Sequence, residues 1–356
     1  MKIALIGRYG EGEILPGPER VARELYLNLR KKNLNIFFIE YFFSGYKDYF
    51  FINKIFGKKL REENIFRLGI IPIIITLLKE QFDIIHFVNS QRVFLVIFFL
   101  KPFLKAKYIS TIHGLAKAEV KNSNIKRAFL DLRVEEKLLN KSNLIVFPSK
   151  YLFDLFTSNY TFNENKCRVI HNGISEVFVK NKIRFEKKEI YNFVYFNSFN
   201  KGLNELLNKL SQLKLPIKIF IIGKEERIEN QNKNIEINFI QPMEQSSLLK
   251  FLSDKHFIIK SEVKDLDAFS TIAIECMSMG IIPIVSENTG VKEIIENKIN
   301  GFVYHDSEEN LSTILENIYE DKFNLKQISE NTSKIYEKLN WEKVSDEYLQ
   351  QYKTLV

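Results

Sequence analysis

Asp267 and Glu275 are two carboxylates that flank the start of one helical pattern, within His256 to Glu293, HFIIKSEVKDLDAFSTIAIECMSMGIIPIVSENTGVKE. The stretch reads as an apolar strand (His256 to Lys260), an acidic loop ending at Asp267, and a helix that opens near Ser270. A Gly-Ile-Ile-Pro turn and a second apolar strand follow. An α-helix advances about 3.6 residues per turn, so Glu275 lies a little over one turn inside. Between the acids, Ser270 and Thr271 supply backbone N–H groups at a helix N-terminus, where the aligned peptide dipoles attract anions. Carboxylates accept hydrogen bonds from hydroxyls and the helix end takes phosphate, so the layout suits a phosphorylated, hydroxyl-rich ligand. A Ser-initiated amphipathic helix with incidental acids would carry the same residues.

His113 is a second candidate. Strand Tyr108 to Ile112 ends in Thr-Ile-His113-Gly114, and the carboxyl end of a parallel strand faces the crevice in which such sheets bind ligands. His86, closing the strand FDIIH, is its expected structural neighbour. A lone histidine is more often structural than functional, and that reading stays open for both.

The elements that must hold these groups follow from the rest of the chain. At 356 residues it exceeds the size at which one core stops growing, so two domains are expected. A content of 45% hydrophobic and 27% charged residues marks a globular protein. Cys167 and Cys276 lie in apolar segments, too few for a disulfide framework and without Cys or His at metal-ligand spacing; a reduced, cytoplasmic protein is expected. The opening KIALIG is too short for a signal-peptide core and reads as a first strand. Apolar runs such as Gly69 to Leu78 are about half a membrane span. The net charge of +8 and pI of 9.1 call for an anionic partner, yet no nucleic-acid motif appears and the basic residues build no single recognition helix. No nucleic-acid partner is expected.

Apolar strands alternate with helical patterns along the chain, the mark of βαβ units and parallel sheets. The loop after the first strand, RYGEGEILPGPE, is glycine-rich but does not match G-x-G-x-x-G, and Glu11 and Glu13 would oppose a phosphate. Gly10, Gly12 and Gly17 are weak candidates that turn geometry also explains. Val21, Leu25 and Leu29 form one helix face after it. Tyr41 to Lys79 is dense in aromatics interleaved with Lys47, Lys54, Lys58, Lys59, Arg61 and Arg67. Such a segment, residues 46–67 above all, lies in the interface of an anionic membrane or packs its aromatics inward as an ordinary surface element. FFLKPFLKAK, Phe98 to Lys107, has the same character. An Asn172-Gly173 turn precedes a polar run, Lys180 to Glu189, read as a linker. Strand Tyr191 to Phe196 then leads into NSFNKGLNELLNKL, whose Leu203, Leu206, Leu207 and Leu210 make a helix face. The last helix carries Trp341, Val344, Tyr348 and Tyr352 on one side.

The stretch around Asp267 and Glu275 resembles the donor-site signature of the retaining GT-B glycosyltransferases, family 4-like (glycosyl transferases group 1). That signature runs Glu-x-Phe-Gly, a short apolar run, then Glu-Ala-Met-Ala-x-Gly. Asp267 falls on the first Glu, Phe269 on the Phe, Ser270 on the Gly, Glu275 on the second Glu, Met277 on the Met and Gly280 on the last Gly. Lys201-Gly202 resembles the family's Lys-Gly ahead of a helix, while Asn197 and Ser198 stand where Gly-Arg is usual. Gly290 with Glu293, Asn300-Gly301-Phe302 and the Trp-bearing last helix also resemble family features. The departures are Asp for Glu, Ser for Gly and the missing Arg, whose bidentate grip on phosphate a hydroxyl cannot replace.

The resemblance implies an α/β fold of GT-B type: two Rossmann-like domains facing across a cleft, with a C-terminal helix crossing back to the first. The implied domains are an acceptor-side domain over 1–180, a nucleotide-sugar-binding domain over 181–336 and the returning helix over 337–356. It implies His113 and Asp267 beside the donor sugar and Lys201 on the diphosphate. Ser198, Gly202, Phe269, Ser270, Thr271 and Glu275 complete the donor site, with Glu275 on the ribose; Gly17, Asn172 and Gly173 are weaker members. No metal is implied, since Asp265-x-Asp267 lies in the loop that the donor motif explains, and no cofactor beyond the nucleotide diphosphate sugar itself. The implied activity is sugar transfer to a glycan or lipid-linked acceptor in cell-surface polysaccharide or glycolipid synthesis, in the cytoplasm or on the inner face of the membrane. A catalytically weak GT-B protein serving as a partner or scaffold subunit is the alternative that the departures leave open.

Overall fold

The computed structural model describes residues 1–10, 12, 14–42, 51–89, 93–119, 125–197, 202–223, 234–261, 267–305 and 310–356; for 118–119 and 125–130 it describes the backbone alone. Two compact units are present, one formed by Met1–Gly173 with Trp341–Val356, the other by Ile174–Asn340. Each is a sheet with helices on both faces.

The first unit's sheet has eight strands: β1 (Lys2–Gly7), β2 (Asn35–Tyr41), β3 (Lys58–Glu62), β4 (Ile65–Leu68), β5 (Ile84–Phe87), β6 (Lys107–Thr111), β7 (Leu144–Phe147) and β8 (Cys167–Val169). Their order is β3-β4-β2-β1-β5-β6-β7-β8, and every pairing is parallel except β3 with β4. The second unit's sheet is wholly parallel, in the order β11-β10-β9-β12-β13-β14. Its strands are β9 (Tyr191–Asn197), β10 (Ile217–Gly223), β11 (Ile235–Ile240), β12 (Phe257–Lys260), β13 (Ile282–Ser286) and β14 (Phe302–Tyr304). Parallel strands covered on both faces read as near-continuous apolar runs. β5, β7, β12 and β13 are buried from end to end.

In the first unit the helix Gly17–Arg30 buries Val21, Leu25 and Leu29 in a cluster with Ile3, Leu5, Trp341, Val344, Tyr348 and Tyr352. The terminal helix Trp341–Leu355 therefore belongs to this unit. The other face is covered by Ile73 and Leu77 of helix Ile70–Glu80 and Phe94 and Phe98 of helix Val93–Phe99. In the second unit, Leu203, Leu206, Leu207 and Leu210 of helix Leu203–Ser211 lie on one face. Helix Thr271–Ser278 packs on the other. The run 180–189 lies against this unit: Phe185 is buried in its core and Ile183 N–H donates to Met279 O at 2.8 Å.

The basic-aromatic segment departs from a single amphipathic stretch. Its described part is a short helix, Phe51–Phe56, followed by the antiparallel β3–β4 hairpin that closes one sheet edge. The reason is Arg61 and Arg67: both reach Glu40 of β2, at 2.9 and 3.0 Å, and Glu40 and Arg67 are fully buried. A buried carboxylate needs such partners, and they fix the hairpin on the sheet. Residues 46–50 lie outside the described residues.

Two contacts seat the terminal helix. Tyr352 Oη lies 2.6 Å from His86 Nδ1, and His86 Nε2 lies 2.8 Å from Thr111 Oγ1. At Gly173 the Trp341 ring comes so close that an added Cβ would lie 2.4 Å from Cδ2. Because a packed core does not absorb an extra methyl freely, Gly173→Ala is expected to lower stability by about 1–3 kcal/mol. Denaturant unfolding measures it, and an unchanged midpoint would show that Trp341 is not seated there.

Candidate functional site

β12 occupies an interior position between β9 and β13, and the candidate residues gather at its carboxyl end, the edge where such sheets bind ligands. Lys260 ends the strand and Ser261 follows it, both buried. Residues 262–266 lie outside the described residues, and the chain returns at Asp267. There the backbone is pinned: Gly290 N–H donates to Asp267 O at 2.8 Å, a bridge between this loop and the Thr289 turn. Asp267 Oδ2 stands 3.2 Å from Lys260 Nζ, an ion pair by distance. It has no hydrogen bond of good geometry among the described residues, and water cannot reach that oxygen.

Ala268 and Phe269 are buried and anchor the loop in the core. Ser270 has extended backbone angles and is the N-cap of helix Thr271–Ser278, its Oγ accepting from Ala273 N–H at 3.4 Å, a long cap bond. Thr271 opens that helix. Glu275 is only 3% exposed, a carboxylate withdrawn from solvent inside an otherwise apolar helix. Burying a charge is costly, so a carboxylate kept there is a functional candidate. Asp267, Phe269, Ser270, Thr271 and Glu275 are thus brought together around one helix start.

On the neighbouring strand β9, Asn197 is buried at the carboxyl end. Ser198 and Lys201 lie outside the described residues. Gly202 caps helix Leu203–Ser211 at φ 78°, a left-handed conformation that suits glycine, and gives that helix no side-chain cap bond. A helix start is a place where an anion can be held.

In the first unit, His113 follows β6 and is partly buried. Its Nε2 lies 2.8 Å from Val88 O. A carbonyl only accepts, so Nε2–H donates and Nδ1 keeps its lone pair. Burial pulls the His113 pKa down to about 4 against the opposing effect of the Val88 bond, so the ring is a neutral acceptor at neutral pH. His86 is fully buried, its pKa lowered to about 3 by burial and then by His113; its hydrogen bonds go to Thr111 and the terminal helix, so it serves docking. Gly17 is the first residue of an uncapped helix. Asn172 is buried, and the closeness of Trp341 accounts for Gly173.

Sequence reasoning missed the clamp on the first loop. Tyr9 and Gly10 N–H donate to Glu40 Oε1 at 2.9 and 3.2 Å, while Arg23 donates to the carbonyls of Tyr9, Gly10 and Gly12. These two amides are committed to a carboxylate. The available signal was a lone acid in the apolar run NIFFIEYFF. Lys260 was also missed, though a lysine ending an apolar strand is the same kind of signal. Among the described residues no three His, Cys, Asp or Glu side chains form a group able to hold a metal.

The comparisons with known proteins agree with this architecture. The sequence profile of Glycosyltransferase Family 4 matches residues 16–177, and that of Glycosyl transferases group 1 matches 175–335. Among solved structures, a sucrose-phosphate synthase from Thermosynechococcus elongatus superposes with a TM-score of 0.77 at 15% identity, covering 99% of this chain and 98% of that one. HepE of Anabaena, in complex with UDP and glucose, gives 0.74 at 15% identity over 99% and 100%. A glycosyltransferase from Rickettsia africae gives 0.72 at 18% identity over 99% and 98%. Among curated proteins, the periplasmic chaperone PpiD of Buchnera aphidicola is 32% identical over 170 residues, 44% of this chain. The chain spans about a quarter of that protein's length, 26%, and this partial match carries no argument about activity. The fold is GT-B. The chain belongs to the group 1 glycosyltransferases and is a glycosyltransferase.

The histidines give a testable pH dependence. Burial holds His86, His113 and His256 at about 3, 4 and 4 against 6.5 when exposed, and His256 Nδ1 accepts from Asn192 N–H, which protonation would end. Each folded-state pKa lies below its unfolded value, so the unfolded chain binds more protons as pH falls. Stability is expected to be complete above about pH 6.5 and to decline toward pH 4. Urea midpoints at pH 7.5, 6 and 5 measure it; a flat profile would contradict neutral burial of these rings.

Proposed function

We propose that this glycosyltransferase moves a sugar, with retention of configuration and without a metal or other cofactor, from a nucleotide diphosphate sugar to a glycan or lipid-linked acceptor. The setting is cell-surface polysaccharide or glycolipid synthesis. The observation that carries the reading is the set formed by buried Glu275, the Ser270 cap and the pinned Asp267 at the carboxyl end of β12. It is supported by HepE, solved with UDP, with UDP and glucose, and with UDP-glucose. Two further neighbours are an outer core galactosyltransferase of lipopolysaccharide and a glycosyltransferase of lipopolysaccharide biosynthesis.

The roles follow from charge. Lys201, the helix start behind Gly202 and the N–H groups at Ser270 and Thr271 stabilise negative charge growing on the leaving diphosphate, the largest electrostatic contribution in such a transfer. Glu275 accepts hydrogen bonds from the ribose hydroxyls. Asp267 faces the sugar hydroxyls, and neutral His113, with Nδ1 as an acceptor, is the first unit's candidate site residue. Ser198 stands where a guanidinium is usual, so one fixed cation grips the diphosphate. The acceptor meets the first unit, whose Gly17, Asn172 and Gly173 are its weakest site members.

Incubation with a panel of UDP-, GDP- and ADP-sugars in the presence of EDTA, with the product anomer read by NMR, tests the reading. Transfer with the donor's own anomeric configuration is expected. Nucleotide binding without any turnover would favour the scaffold alternative, and no nucleotide binding would overturn both. Glu275→Gln is expected to weaken nucleoside diphosphate binding by about 10–100-fold, the loss of a charged hydrogen-bond acceptor, measured by calorimetry.

A peripheral position on an anionic membrane, on its cytoplasmic face, goes with this reading. Phe51, Ile52, Phe56 and Leu60 are exposed, and Lys58 and Lys59 are exposed on the adjoining β3. Among the described residues no helix is long and apolar enough to cross a membrane. Apolar anchors amid lysines suit anionic headgroups. Vesicles containing phosphatidylserine or phosphatidylglycerol should bind the protein, and Lys58→Glu with Lys59→Glu should abolish that binding; unchanged flotation of the double variant would refute the contact.

A further inference from the structure

β12 carries two buried lysines at its two ends. Lys255, just before the strand, is 2% exposed; it pairs with Asp254, and its Nζ lies 4.1 Å from the centroids of both Phe220 and Phe251. Aromatic faces and a carboxylate satisfy that cation at the edge of the sheet opposite the ligand-binding one. Lys260 ends the strand at the carboxyl edge, with its side chain 5% exposed and its Nζ 3.2 Å from Asp267 Oδ2. Taking two charges out of water costs about as much as their attraction returns, so a buried ion pair is weak evidence for stability. Its position beside a helix N-cap that holds the rest of the candidate site therefore calls for a function.

The geometry of the pair supplies one. Asp267 is fixed through its backbone by Gly290 N–H and through Oδ2 by Lys260, and Oδ2 is sealed from solvent. The side chain as a whole retains 12% exposure, which leaves Oδ1 as the oxygen that a ligand can reach. Ser261 Oγ, next along the chain, is also buried without a hydrogen bond among the described residues. An aspartate that stands where a longer glutamate is usual has less reach, and a lysine 3.2 Å behind it holds the carboxylate aimed.

We propose that Lys260 is a positioning residue for sugar recognition: it fixes the Asp267 carboxylate so that Oδ1 accepts from hydroxyls of the donor's sugar, and it does not itself grip the diphosphate. This rests on the donor-site reading above. It makes the sugar-dependent part of donor affinity, and not the nucleotide part, the property that Lys260 controls.

The test is calorimetry of UDP against UDP-glucose, with the GDP and ADP pairs alongside, on the full chain and on Lys260→Met, Asp267→Asn and the double variant. Lys260→Met is expected to keep the nucleoside diphosphate affinity and to lose about tenfold or more of the extra affinity conferred by the sugar. In the Asp267→Asn background, adding Lys260→Met is expected to change nothing further, the non-additivity of groups acting as a unit. The neutral double variant leaves no uncompensated buried charge, so it reports even where Lys260→Met alone does not fold. Loss of nucleoside diphosphate affinity on removing Lys260 in either background would overturn the inference, as would independent, additive losses of sugar affinity. If the unaltered protein binds the nucleotides and sugars and Lys260→Met matches it throughout, this inference fails alone. If the unaltered protein binds none of them, the proposed function fails and takes it along.

Discussion

Burial of both faces of two parallel sheets is the constraint on which the rest of this structure depends. Inside such a sheet every backbone group is paired along the ladder and every side chain meets a helix, so polar chemistry survives only at strand ends. Several of the charged groups and histidines admitted to the interior are tied to partners. Glu40 holds two arginines and two amides, and His86 joins Thr111 to the terminal helix. Lys260 is matched with Asp267. Glu275 belongs to this group, and its place near the start of the helix after β12 makes it the focus of the proposed site.

The same constraint explains why the two glycine-bearing loops differ. The loop after β1 is held from inside by Glu40, Arg23 and Arg61, so its Tyr9 and Gly10 amides already face a carboxylate. Gly202 itself offers no side chain to the helix behind it. The proposed anion positions are therefore the helix starts behind Gly202 and Ser270. Glycine content alone does not separate these cases; the company kept by the backbone does.

Much of this was legible in the sequence because it is local. Strands Lys2–Gly7, Tyr191–Asn197 and Phe257–Lys260 read correctly to within a residue from apolar runs, and the faces Val21-Leu25-Leu29 and Leu203-Leu206-Leu207-Leu210 from helical spacing. Ser270 was recognisable as the start of a helix. What was illegible is long-range pairing. Nothing in the spacing ties His86 to Tyr352, Arg67 to Glu40 or Trp341 to Gly173, and no local pattern says that Lys260 turns back to Asp267. Those contacts give His86 its structural role in docking the terminal helix, fold the basic-aromatic segment into a hairpin, and add a lysine to the proposed sugar end of the site. The departures from the family pattern, Asp267, Ser270 and the absent Arg, fall around the proposed sugar and diphosphate positions, whereas Glu275 is intact.

The central claim is that the Asp267–Glu275 stretch binds the donor, and a crystal structure of the protein with a nucleoside diphosphate sugar tests it most directly. The account predicts ribose hydroxyls within hydrogen-bond distance of the Glu275 carboxylate, the diphosphate at the N-termini of helices Leu203–Ser211 and Thr271–Ser278, and a sugar hydroxyl on Asp267. A nucleotide bound with its ribose away from Glu275, or against the Tyr9–Gly10 loop, would contradict it.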